Sequence, residues 1–343
     1  MRSRLAIALA AVLSLSLLAA TCVAEAQSGG GMRRVALVYT SVPVSEMAGP
    51  EASHPSVREF MDALRKRGWV EGQNLILERR SAEGRPERYE TILQELVGLK
   101  CDLIITTGTP MARIAQKVVA RRVPILMTAV SDPVVSGLVS SLARPGKNMT
   151  GVTADTGPEI EGKRIDLLKQ ALPTATRVVV FRVTSSASAF LSPTSPTRKA
   201  QENAAVALGI KLVPVEFGPE DQTSAFALIT REQPDAVLIG NHLFANAKRH
   251  VIVDFTTRNR LPLITGDPII TDAGGLMSYG PSSVEVIRII ADYADRILRG
   301  VNAGDLPIWQ PTTLELVINL KTAKLLGLTL PEALLLRADK VIR

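Results

Sequence analysis

Asp102-Leu103-Ile104-Ile105-Thr106 runs directly into Thr107-Gly108-Thr109-Pro110. A short, unbroken apolar run closed by Thr-Gly suits a strand covered on both faces. Gly108 lets the backbone turn sharply, and Pro110 fits the first turn of a helix expected from Pro110 to Val119. The next strand is expected at Val123 to Met127. Upstream the same alternation appears. An apolar run from Val35 to Tyr39 is followed by a helical face of Val57, Phe60, Met61 and Leu64, stopped at Gly68. A strand at Leu75 to Arg79 then precedes a helix with Tyr89, Ile92, Leu93, Leu96 and Val97 on one side. Strands alternating with helices imply an α/β fold with a parallel sheet.

After Gly151 the plan restarts, with strands expected at Arg177 to Phe181, Lys211 to Val215, Ala236 to Gly240 and Leu261 to Thr265. Asp235-Ala236-Val237-Leu238-Ile239 answers the run at Asp102, and Arg260-Leu261-Pro262 answers Arg122-Val123-Pro124. The chain therefore reads as two Rossmann-like lobes with parallel sheets. Its 343 residues also exceed the size at which one core usually stops growing. The first lobe is expected over 33–148 with 275–304, and the second over 152–270 with 310–343. A three-stranded hinge is expected at 148–153, 270–274 and 305–310, because so few residues absorb the dihedral change while each lobe moves rigidly.

The first residues set the compartment. Met1-Arg2-Ser3-Arg4, an apolar run from Leu5 to Ala20 and Ala24-Glu25-Ala26 make a signal peptide over residues 1–26. Thr21 fits a lipid-attachment motif at Cys22 poorly, so a cleaved peptide and a periplasmic protein that does not span the membrane are expected. Cleavage leaves Cys101 as the lone cysteine and excludes an intrachain disulfide. The histidines, at 54, 242 and 250, lack metal-ligand spacing, so neither a metal nor a cofactor is expected. The formal charge of +7 is spread along the chain without interleaved aromatics, which argues against nucleic acid. No Gly-x-Ser-x-Gly, phosphate-loop or His-Glu-x-x-His motif occurs, which points away from an enzyme.

Ligands of open parallel sheets sit beyond the carboxyl ends of the strands. That rule selects Thr40 and Ser41, Thr107-Gly108-Thr109-Pro110, and Ser131 with Asp132 in the first lobe. In the second it selects Thr184 and Ser185, Asn241, His242 and Phe244, and Asp267, with Tyr279 as a further wall residue. Free amides at the start of the helix after Thr107 suit a carboxylate. Asp132 and Asp267, each before a proline, are candidate acceptors for an ammonium, or else helix caps.

Several segments resemble the ABC transporter substrate-binding family that includes tryptophan- and tyrosine-type binding proteins. They are Gly68-Trp69-Val70-Glu71-Gly72-Gln73-Asn74, Asp132-Pro133-Val134, Ser141-Leu142-Ala143-Arg144-Pro145-Gly146-Lys147-Asn148-Met149-Thr150-Gly151, Gly275-Leu276-Met277-Ser278-Tyr279-Gly280, and Gln310-Pro311-Thr312 with the stretch to Ala323. The resemblance implies a type I periplasmic binding fold, and a membrane permease with its ATPase as partners. It implies an amino acid or similar carboxylate as ligand, and a cleft faced by the loops of Thr109, Asp132 and Asp267. A monomer suits such a receptor. After Phe181, Arg182 opens a Ser/Thr/Pro-rich stretch to Thr197 that departs from the family pattern. The rival expectation is an exported enzyme using the same cleft. A sugar-responsive gene regulator would need DNA-binding helices where the signal peptide stands.

Overall fold

The computed structural model describes residues 31–49, 51–120, 122–154, 156–183, 195–218, 222–240 and 242–343. The expected signal peptide, Thr184, Ser185 and Asn241 lie outside the described residues.

Twelve strands among the described residues form two sheets. β1 (Arg33–Tyr39), β2 (Leu75–Ser81), β3 (Leu103–Thr107), β4 (Ile125–Val130) and β5 (Met149–Thr153) build the first, in the order β2-β1-β3-β4-β5, all pairs parallel. The second holds β6 (Arg177–Val183), β7 (Lys211–Phe217), β8 (Ala236–Ile239), β9 (Leu263–Thr265), β10 (Met277–Pro281), β11 (Leu314–Asn319) and β12 (Lys340–Ile342). Its order is β12-β11-β10-β9-β8-β6-β7, antiparallel at β10–β11 alone. β3 and β8 are buried throughout, which is why they read as unbroken apolar runs rather than alternations.

The internal repeat has a physical basis. Asp102 Oδ2 accepts the backbone N–H of Arg34 at 2.8 Å, and Asp235 Oδ2 accepts that of Arg177 at 2.8 Å. Each aspartate holds the start of the neighbouring strand. The carbonyls of Pro124 and Pro262 likewise accept the N–H groups of Ile104 and Val237, at 3.0 and 2.9 Å. The two lobes thus share the polar stitches at their sheets' amino edges.

Helices follow from capping and periodicity. In Pro55–Arg65 a proline stands in the first turn, and Val57, Phe60, Met61 and Leu64 turn inward against β1 and β2. Ser282 Oγ accepts the N–H of Glu285 at 3.4 Å and starts Ser283–Leu298, a Ser-x-x-Glu capping pattern. This helix packs Ile287, Ala291, Ala294 and Leu298 into the first lobe's core.

The expected lobe and hinge boundaries need correction. β10, assigned above to the first lobe, pairs with β9 and β11 in the second sheet. The crossing therefore falls between Pro281 and Ser283, not at 270–274, which is largely the short helix Pro268–Asp272. Residues 149–153 are β5 itself, and the chain crosses after it. The third crossing follows Trp309, whose N–H donates to Gly151 O at 2.9 Å while its carbonyl accepts from Thr153 N at 3.0 Å. A buried Leu-Met-Ser run carries no mark of the sheet it will join, so the apparent symmetry of the chain misassigned it.

A buried ion pair anchors the second lobe beside the crossings. Arg164, 2 % exposed, donates to Glu161 and, through Nε at 2.8 Å, to Tyr279 O; Gln201 Nε2 reaches Glu161 Oε2 at 3.0 Å. Removing one partner strands a buried charge, which costs ~3–5 kcal/mol. Glu161→Ala is expected to lower unfolding free energy by about that much in urea titrations, whereas Asp62→Ala, which breaks the exposed pair with Arg65, costs under about 1 kcal/mol.

Candidate functional site

The carboxyl ends of both sheets face one another across a cleft of about 1160 Å³, open mouth included. The first lobe contributes Thr40, Ser41 and Val42 beyond β1, Thr107 at the end of β3, and Thr128 and Ala129 on β4. Val152, Thr153 and Ala154 lie at the first crossing, and Pro281 and Ser283 at the second. The second lobe contributes Leu243 and Asn246 beyond β8 and Asp267 and Ile269 beyond β9. His54, Val57, Phe60, Val286, Ile287 and Ile290, from the two helices packed on the first lobe, supply a wall that is apolar apart from the imidazole.

Within the first lobe, Thr107 Oγ1 donates to Val38 O at 3.2 Å and accepts the N–H of Thr40 at 3.2 Å, fixing the turn after β1. The Thr40 and Ser41 hydroxyls lie 3.5 Å apart at the cleft surface. Gly108 has φ of 84°, and a Cβ there would stand 3.2 Å from Leu243 Cδ1 of the opposite lobe. Here glycine serves both the left-handed turn into the helix Thr109–Val118 and the close approach of the lobes. Thr109 and Pro110 open that helix, and the Thr109 hydroxyl accepts the Ser131 N–H at 3.0 Å. These two positions and Ser131 shape the loop rather than line the cleft.

The lobes are held in contact by an ion pair. Arg249, on the helix Arg249–Arg258 of the second lobe, donates through Nη2 to Glu46 Oε2 of the first at 2.8 Å, and through Nη1 to Asn246 O at 3.1 Å. Asn246 Nδ2 in turn donates to Asp267 Oδ2. Asp267 Oδ1 caps the helix Pro268–Asp272 by accepting the Ile269 N–H at 3.0 Å. Burial raises the Asp267 pKa, against the lowering effect of its bonds to Ile269 and Asn246 and of the charge on Arg164.

Other expected wall residues lie elsewhere. Asp132 is exposed at φ of 33°, and its Oδ1 accepts the N–H of Val135 at 3.0 Å; it closes its own turn and does not join Asp267. His242 caps the helix Leu243–Ala247 through Nδ1, 3.2 Å from Phe244 N, with its pKa pushed down to about 4 by burial. Phe244 is buried beside Phe217, ring centroids 5.6 Å apart, while Leu243, one residue earlier, faces the cleft. Tyr279 shares the face of β10 with Met277 and packs on the second lobe's core, because alternate strand residues point to the same side. His54 and Asn246 were not selected from the sequence. A histidine before Pro55 and an asparagine in a five-residue helix carry no motif, and their signal is their position in space.

Comparison with known proteins agrees with this geometry. Residues 41–342 match the model of the ABC transporter substrate binding protein family. The chain belongs to that family. It is 25 % identical over 279 residues to a tyrosine-binding protein of Clostridioides difficile, covering 80 % of this chain and 78 % of the relative. A conserved domain protein from Vibrio cholerae superposes with a TM-score of 0.72 at 26 % identity, over 90 % of this chain and 99 % of that one. The ABC domain of Streptococcus pneumoniae in complex with L-Trp superposes at 0.71 and 22 % identity, over 91 % of this chain and all of that one. The fold is the two-lobed periplasmic binding fold that the sequence implied. No helix among the described residues is long and apolar enough to cross a membrane.

The raised Asp267 pKa has a consequence for the family member without ligand. The folded protein holds that proton more tightly than the unfolded chain, so ionised Asp267 opposes folding at neutral pH, and the opposition fades as pH falls through the raised pKa. Asn at this position keeps the cap. Asp267→Asn is expected to unfold at the same or a higher urea concentration than the parent at pH 7, with the difference shrinking toward pH 4; a clear loss of stability at pH 7 would contradict the assignment.

Proposed function

We propose that this family member is the extracytoplasmic receptor of an ABC importer, exported through its signal peptide, and that it captures a small amino acid with an apolar or aromatic side chain. It releases that solute to a permease driven by an ATPase, and it has no catalytic role. One observation carries the ligand class. Among the described residues that line the cleft, Asp267 is the one carboxylate, and lysine and arginine are absent. Its burial leaves it short of a countercharge, so the part of the cleft beside Asp267 is suited to a ligand's cationic group.

The remaining wall fits the rest of such a ligand. The Thr40 and Ser41 hydroxyls, which line the cleft beyond β1, receive the carboxylate. Val57, Phe60, Val286, Ile287 and Ile290 receive the side chain. The tyrosine-binding relative and the L-Trp-bound neighbour support this class of solute. Contacts from both lobes favour the closed arrangement, and the ligand shifts the population by the contacts it makes there and not in the open form.

The test is a thermal-shift screen of the twenty amino acids against the pure protein, with mass spectrometry of the solute afterwards. An aromatic or large aliphatic amino acid should raise the melting temperature and be recovered intact. Asp267→Ala should weaken its binding at least about a hundredfold, the scale of a charged group left buried without its partner. Unchanged affinity would remove Asp267 from the site, and consumption of the solute would make the protein an enzyme.

A further inference from the structure

Burying a polar atom without a hydrogen-bond partner is unfavourable, so such atoms on a cleft wall mark where a ligand's polar groups belong. Three lie on this wall: His54 Nδ1, Thr153 Oγ1 and Asn246 Oδ1, in side chains 3 %, 2 % and 7 % exposed. Two of them belong to one connected array. Asn246 donates one hydrogen bond through Nδ2 to Asp267, and its Oδ1 is an acceptor without a donor. The Asn246 carbonyl receives Arg249, Arg249 pairs with Glu46, and the Glu46 carbonyl accepts the backbone N–H of His54 at 2.9 Å. His54 from the first lobe and the Asn246–Asp267 pair from the second thus line the same cleft.

Charge in this array is unbalanced by one. Glu46 and Arg249 cancel, Arg164 beside Asp267 is held by Glu161, and Asp267 remains. An imidazole can join such a site as an acceptor if it is neutral. Burial and the neighbouring Arg249 push the His54 pKa down to about 4, against the opposing effect of Glu46, so His54 is neutral at pH 7. A neutral imidazole offers one nitrogen lone pair, and the tautomer protonated on Nε2 presents it at Nδ1.

Resting on the amino-acid reading above, we propose that the ligand's ammonium is held from both lobes at once: Asn246 Oδ1 and Asp267 on one side and His54 Nδ1 on the other take its three hydrogens. His54 then determines specificity for a primary amine and ties recognition of that group to closure of the lobes, because its share of the contact exists only when they meet.

The experiment uses calorimetric titration of L-tyrosine, of tyramine, which lacks the carboxylate, and of 3-(4-hydroxyphenyl)propionate, which lacks the amine. The corresponding three indole compounds are used if L-tryptophan binds better. His54→Phe, which keeps a ring against Tyr39, should weaken the amino acid and the amine by the same factor, about tenfold, the loss of one charge-assisted hydrogen bond of ~1.4 kcal/mol. It should leave the deaminated acid unchanged. His54→Gln, whose amide oxygen can accept, should recover part of the loss and serves for the same comparison if the phenylalanine variant fails to fold. Equal weakening of all three compounds, or no weakening of the amino acid, would overturn the role of His54 while leaving the amino-acid reading intact. Failure of the parent protein to bind either amino acid would remove both.

Discussion

A parallel strand cannot be followed directly by its neighbour; the chain must cross over, and every such connection leaves from the carboxyl edge of the sheet. Two sheets of this kind, turned edge to edge, bring two sets of strand-to-helix turns into one gap. Those turns bring polar atoms that the chain itself leaves without partners, at His54, Thr153 and Asn246, and a carboxyl at Asp267 whose burial opposes its charge. The cleft is thus a place where the folded chain alone is incompletely satisfied, and a solute of matching polarity completes it.

The same constraint explains how the lobes are joined. Three crossings, after β5, between Pro281 and Ser283, and after Trp309, join the lobes while leaving each sheet intact. The helix Ser283–Leu298 follows a strand of the second sheet but packs its apolar stripe on the first lobe, so its start lies at the crossing and its first turns line the cleft. The Glu46–Arg249 pair adds a polar contact between the lobes. Arg249 is 5 % exposed in this arrangement, so its charge is withdrawn from water and balanced across the lobes by Glu46.

Much of the architecture was legible in the chain. Apolar runs at Leu103 and Ala236 gave the buried strands, and the paired Asp102 and Asp235 marked equivalent stitches. Of the residues that the strand-end rule selected, Thr40, Ser41, Thr107 and Asp267 lie on the cleft wall. What sequence periodicity could not supply was side-chain direction within a turn. A shift of one residue exchanged Phe244 for Leu243, and the pleat of β10 turned Tyr279 into the core. Asp132 satisfied its own loop, as a short acidic side chain before proline readily does. His54 and Asn246 stayed hidden because their place on one wall arises only when two segments distant in sequence meet.

Closure of the facing lobes on an amino acid would be read from the distance between them. Spin labels at Val135→Cys in the first lobe and Val206→Cys in the second sit on side chains 83 % and 81 % exposed, and the native Cys101 is buried. Pulsed electron resonance should show a broad distance distribution without ligand that narrows and shifts with the amino acid giving the largest thermal stabilisation. An identical distribution with and without that ligand would contradict the account.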